Sequence, residues 1–161
     1  MRLTLFAVGR MKAGPERELA DRYVDRLAKL GPKAGLIWDG IHEIAESRAR
    51  SPGARKADES AHCMALADAP GTALIALDET GKSQSSRAFA DALAEMRDIG
   101  VKRTVFAIGG PDGHNPALLA RADRVLCLGA MTWPHQLARA LLAEQLYRAA
   151  SILAGHPYHR N

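Results

Sequence analysis

The chain has 161 residues, is 47% hydrophobic and carries a formal net charge of +4. That length and apolar content support one packed domain over residues 1–161 and exclude disorder; no apolar run approaches the ~20 residues of a membrane span. Two cysteines, Cys63 and Cys127, are too few for a disulfide framework and lack metal-ligand spacing, so no metal is expected.

Both thiols read as ordinary buried small residues in a reducing cytoplasm. The mild positive charge suits a polyanionic partner such as RNA, and dimerisation would double the basic surface.

Leu3 to Gly9, LTLFAVG, is a continuous apolar run ending in glycine, as in a strand buried on both faces. No small-residue cleavage site follows, which argues against a signal peptide. Pro15 suits a first helical turn, and Glu16 to Leu30 repeats apolar residues every three to four positions until Gly31-Pro32. Leu36 to Ile44 is a weaker strand. Glu46 to Ala61 is polar, with charges of both signs and a Ser-Pro-Gly break. Its first half reads as an exposed loop and its second as the start of a helix running to about Ala69. A solvated loop accounts for it, and so do contacts of Arg48, Arg50, Arg55 and Lys56 with RNA phosphates.

Thr72 to Asp78 is a second buried strand, and Ser85 is placed to cap a helix over Ser86 to Ile99. Arg103 to Ile108 is the third clear strand. Pro116 to Ala122 is a short helix, and Arg124 to Leu128 a fourth strand. The longest helix runs from Pro134 to about Ala154. Alternating strands and helices predict an α/β domain around a mostly parallel sheet. Ligands of such sheets collect at the carboxyl ends of the strands. Three consecutive strand ends here carry glycine or small residues: Leu77–Lys82, Gly109–Gly113 and Leu128–His135. Bare backbone at such ends can approach a purine edge or a ribose. Neither a G-x-G-x-x-G nor a G-x-x-x-x-G-K-[ST] motif is present, and GGPDG by itself also describes a tight turn.

Five stretches carry a resemblance that covers the whole chain: LTLFAVGRMK, ALDETGKSQSS, FAIGGPDG, LGAMTWPHQLARALLAEQLYRA and the terminal HPYHRN. With them the chain resembles the SPOUT methyltransferases that methylate N3 of a pseudouridine in bacterial 23S rRNA. The resemblance implies an α/β sheet with a C-terminal deep trefoil knot, a feature that periodicity alone does not show. It implies S-adenosylmethionine as cofactor, held at Leu77, Gly109, Gly110, Leu128, Gly129, Ala130, Met131, Thr132 and Trp133. It also implies a homodimer with a composite site, acting on the large subunit within assembled ribosomes. The sequence departs from the family where LGAMTW replaces a Ser-Lys-Met-Thr-Phe type of loop. It departs again at His114, which stands at an apolar position and reads as a surface imidazole.

The acceptor is then a weakly acidic N–H, so catalysis is placement plus help with one proton. His159 and His135 are the candidate bases, Tyr158 the residue to stack on or hydrogen-bond the base, and Arg160 a phosphate grip. Arg139, one turn beyond His135, is expected at the active site. Tyr147 is expected in a dimer contact, and the tail is expected to order only with RNA and both protomers present. Two rival readings remain open: a nucleotide hydrolase using Asp78 or Glu79, and a non-catalytic RNA-binding or ribosome-associated module.

Overall fold

A computed structural model describes residues 1–159. Five parallel strands form one sheet: β1 (Arg2–Val8), β2 (Ile37–Ile44), β3 (Thr72–Lys82), β4 (Arg103–Ile108) and β5 (Arg124–Leu126), in the order β2-β1-β4-β3-β5. The helices are α1 (Pro15–Leu30), α2 (Pro52–Ala67), α3 (Ser86–Asp98), α4 (Pro116–Arg121) and α5 (His135–Leu153). The three central strands are buried on both faces, which is why they read as unbroken apolar runs.

Alternation along each central strand sorts its side chains between two layers. Leu3, Leu5, Ile75, Phe106 and Ile108 join Leu27 of α1, Phe89 and Leu93 of α3, and Leu142 and Leu146 of α5. Phe6, Val8, Leu74, Val105 and Ala107 face the other way, against Cys63 of α2 and Leu118 of α4. Each fully buried Leu or Phe contributes about 1.5–3 kcal/mol. Burial also pushes the Cys63 thiol up to about 12, so it stays a neutral core residue. Local chemistry sets the helix starts. Ser51, Ser85 and Asn115 accept hydrogen bonds from the backbone N–H of Ala54, Ala88 and Ala117. Pro52 and Pro116 occupy the first turns.

Two boundaries differ from expectation, and both shape the cleft described below. β3 runs on to Lys82, because Gly81 lets two backbones cross. A Cβ there would lie 2.7 Å from the Leu126 carbonyl carbon and 2.8 Å from Val125 backbone atoms. β5 stops at Leu126, short of the predicted Leu128. The Cys127 thiol turns the chain, donating to the Gly129 carbonyl at 2.9 Å and accepting from the Gly129 N–H at 3.4 Å. Cys127 is therefore a half-buried turn residue and not the buried core thiol expected. No described helix is long and apolar enough to cross a membrane.

Candidate active site

The chain leaves β3, β4 and β5 through loops at the same end of the sheet, and these loops enclose a cleft of about 500 Å³. Leu77 contributes from β3, Gly109 and Gly110 follow β4, and Leu128, Gly129, Met131, Thr132 and Trp133 come from the loop after β5. Of the nine positions expected around a cofactor, only Ala130 does not line the cavity. Asp78, Glu79, Asp112 and Lys56 supply the charged groups of its wall. Gly129 sits at φ +143, where a side chain is strained. The GGPDG turn closes through the Gly113 N–H, which donates to the Gly110 carbonyl at 2.9 Å.

The floor of this turn is braced by α2. Arg55 donates twice to Asp112, Nε to Oδ2 at 2.6 Å and Nη2 to Oδ1 at 3.1 Å, and these bonds hold the Asp112 carboxyl below its ordinary range. Ser60 accepts from the Asn115 N–H at 3.1 Å. Glu59, 4% exposed, accepts the Ser47 N–H through Oε1. Its Oε2 has no partner among the described residues and lies 2.7 Å from where a Cβ on Gly110 would be. Arg55 is thus committed to the turn and is not the free phosphate contact considered from sequence. Arg48 and Arg50 are exposed. Sequence reasoning missed this brace because its two halves lie 57 residues apart in sequence.

His114 corrects a second expectation. It is 6% exposed, and its Nε2 hydrogen-bonds the Ala107 carbonyl at 3.2 Å, where N–H is the donor. Burial holds its pKa below the ordinary histidine value. It also defines Gly109. A Cβ there would lie 3.1 Å from the Gly113 carbonyl carbon and 3.3 Å from the His114 ring, pressing on the turn itself.

His135, the first residue of α5, lines the cleft and also a second one of about 450 Å³ beside it. Arg139 lies beneath this second cleft and is 3% exposed. Its Nη1 donates to Glu43 at 2.6 Å and its Nη2 to the carbonyls of Val8 and Gly9, so it ties α5 to the end of β1. Burial lowers its pKa, with Glu43 opposing the shift. The remaining tail candidates are elsewhere. The Tyr158 hydroxyl donates to Glu144 at 3.0 Å, its ring packs tilted against Tyr147 with centroids 4.6 Å apart, and Arg148 lies over it at 4.8 Å. Burial and the Tyr23 and Glu144 hydrogen bonds raise the Tyr158 pKa far above its ordinary value. The His159 Nδ1 lies 3.5 Å from Arg148. Tyr158 thus has partners within its own chain. Tyr147 is 7% exposed and packed between Tyr23 and Tyr158, which removes it from any exposed contact. Arg160 lies outside the described residues.

Comparison with known proteins adds the following. The profile of a family described as "Predicted SPOUT methyltransferase" matches residues 1–159. A Brucella anthropi protein named "Ribosomal RNA large subunit methyltransferase H" is 60% identical over 161 residues, covering all of both chains. The protein of that name from Brucella abortus (strain S19) is 57% identical, again over all of both chains. Among solved structures, the A. aeolicus TrmH/SpoU tRNA modifying enzyme superposes with a TM-score of 0.47 at 14% identity, covering 99% of this chain and 81% of its own.

Proposed function

Because the chain belongs to the SPOUT methyltransferase family and aligns end to end with proteins named as large-subunit ribosomal RNA methyltransferases, we propose that it methylates N3 of a pseudouridine in 23S rRNA. The donor is S-adenosylmethionine, and the substrate is the large subunit in assembled ribosomes. The observation that carries this reading is the cleft at three adjacent strand ends, walled by glycines and backbone. The residues present fit the cofactor. The volume suits a ligand of that size, bare backbone at Gly109, Gly110 and Gly129 can read adenine and ribose, and Asp78 and Glu79 suit a cationic ligand. Bound there, S-adenosylmethionine supplies an electrophilic methyl group.

The chain's own residues then place the acceptor and manage its proton. His135, on the wall of both clefts, and His159, on the tail, are the two imidazoles for the N3 proton at neutral pH. Tyr158 stacks on the base or hydrogen-bonds it, and Arg160 grips a phosphate. The tail side chains rest between Glu144 and Arg148. That lies about 14–20 Å along α5 from His135 at 1.5 Å per residue. They serve the partner's cleft in a homodimer rather than their own. We take the chain as one domain working in the cytoplasm. We also take its C-terminal part as knotted, a reading supported by the tight crossing of Gly81 over Val125 and Leu126.

The test is methyl transfer from labelled S-adenosylmethionine to ribosomes lacking the modification, followed by mass spectrometry of digested 23S rRNA. The expected product is 3-methylpseudouridine. Cofactor binding without incorporation would remove the named substrate. Neither binding nor incorporation would leave a non-catalytic RNA-binding module.

A further inference from the structure

We propose that the segment between β2 and α2, together with the chain leaving β1, forms a track for the phosphodiester backbone of the RNA strand on either side of the acceptor. Its cations are Arg10, Lys12, Arg48, Arg50 and Lys56. This rests on the methyltransferase reading above and adds to it the surface that holds the strand.

Residues 9–12 and 45–56 together hold six Lys or Arg and a single carboxylate, Glu46. The whole chain is only +4, so everything outside these two stretches is net acidic. Among the described residues none of the five track cations enters an ion pair, whereas most other arginines, such as Arg2, Arg103 and Arg124, are paired with carboxylates. Arg10, Lys12, Arg48 and Arg50 are exposed. Cations in water with no internal partner keep their charge for a polyanion.

The backbone brings the two stretches together. β1 and β2 are neighbours, and the Gly9 N–H donates to the Ile44 carbonyl at 2.8 Å, so both stretches leave the sheet side by side. The segment after β2 is then fastened to α2. The Ser47 N–H donates to Glu59 at 2.8 Å, and Arg55 Nη1 donates to the Ala49 carbonyl at 3.2 Å. The same guanidinium holds Asp112 on the wall of the cofactor cleft. Ala49, between Arg48 and Arg50, is thereby pinned to the GGPDG turn through one side chain. Lys56 lines the cofactor cleft itself, and Arg10 lines the second cleft, which shares Pro111 with the first.

A strand must cross this rim. An acceptor base within about 3–3.5 Å of the methyl donor carries a phosphate on each side, and those phosphates lie outside the cofactor cleft. Contacts of this kind fix the position of the strand and leave its sequence unread. Arg55 serves as a positioning residue here, since its own charge is spent on Asp112.

The test is the affinity of the full-length protein, saturated with S-adenosylhomocysteine, for ribosomes that lack the modification, between about 50 and 200 mM salt. Arg48→Ala with Arg50→Ala should lower that affinity about tenfold or more at about 100 mM salt. It should also shrink the slope of log affinity against log salt by about 1.4, at ~0.7 for each phosphate of a single strand. Arg48→Lys with Arg50→Lys should keep most of the affinity, and both doubles should bind S-adenosylhomocysteine as the wild type does. Lys33→Ala with Lys102→Ala removes the same charge from exposed positions ahead of β2 and β4, at the opposite end of the sheet, and should leave affinity and slope near wild type. An unchanged slope in the first double, an equal loss in the Lys33 and Lys102 pair, or a wild type that does not bind ribosomes would overturn the track. Binding is read without methyl transfer, so a protein that binds through the track and never methylates would defeat the enzyme reading alone.

Discussion

His114 shows how one side chain ties the cleft to pH. Its folded pKa lies below the ordinary 6.5 because the imidazole is buried. Below pH 6.5 the unfolded chain therefore takes up this proton first, and unfolding is favoured. The stability that His114 gives is complete above 6.5 and is lost as pH falls from there through the folded value. A denaturant titration from pH 7.5 to 5 should show the wild type losing stability through that window. His114→Leu should flatten the slope, and identical slopes would mean that the imidazole takes its proton without cost. At the same scale Gly109→Val acts differently from what the sequence suggests. The added side chain presses on Gly113 and His114, so cofactor binding fails through the turn rather than through a filled pocket.

At the scale of elements, α2 positions the GGPDG turn. Arg55→Ala should weaken S-adenosylmethionine binding about three- to tenfold by calorimetry without unfolding the protein, since the side chains of the pair keep 29% and 24% of their surface in solvent. The charge-swapped Arg55→Asp, Asp112→Arg pair should recover part of that loss, and a swap no better than either single change would show no coupling. The strands of this fold were legible because burial on both faces leaves unbroken apolar runs such as LTLFAV and RTVFAI. The start of α3 was legible from its cap Ser85, whereas the caps Ser51 of α2 and Asn115 of α4 were not singled out. The cleft was legible as glycine at strand ends. What was not legible depends on contacts between distant segments. These are Arg55 with Asp112, Arg139 with Glu43, the burial of His114, and β3 running on where Gly81 crosses β5. No local pattern encodes such partners, because periodicity reports which face of an element is buried and not against what.

The whole molecule raises the question of where the tail acts. Tyr158 and His159 rest on the far half of their own α5, and α5 has no exposed residue. Exposed large apolar residues lie at Leu19, Ile37 and Ile41 on the α1 and β2 side, at Ile99 after α3, and at Met131 and Trp133 in the loop before α5. A composite dimer gives a sharp expectation. Mixing a cleft-inactive Gly109→Val protein with a tail-truncated one, each inactive alone, should restore about a quarter of the wild-type rate, since half the dimers are mixed and each has one complete site. No recovery after subunit exchange, or a monomer mass by light scattering, would sink the composite site.

The packing of α1 against α5 joins the first helix of the chain to the last. During synthesis α1 emerges early, but the surface that covers Leu27 and Tyr23 comes from α5, the last helix of the fold to be made. Closure of the core, and with it the wall formed by His135 and Arg139, therefore waits for α5. A chain made only as far as β5 therefore has neither a closed core nor that wall of the cleft.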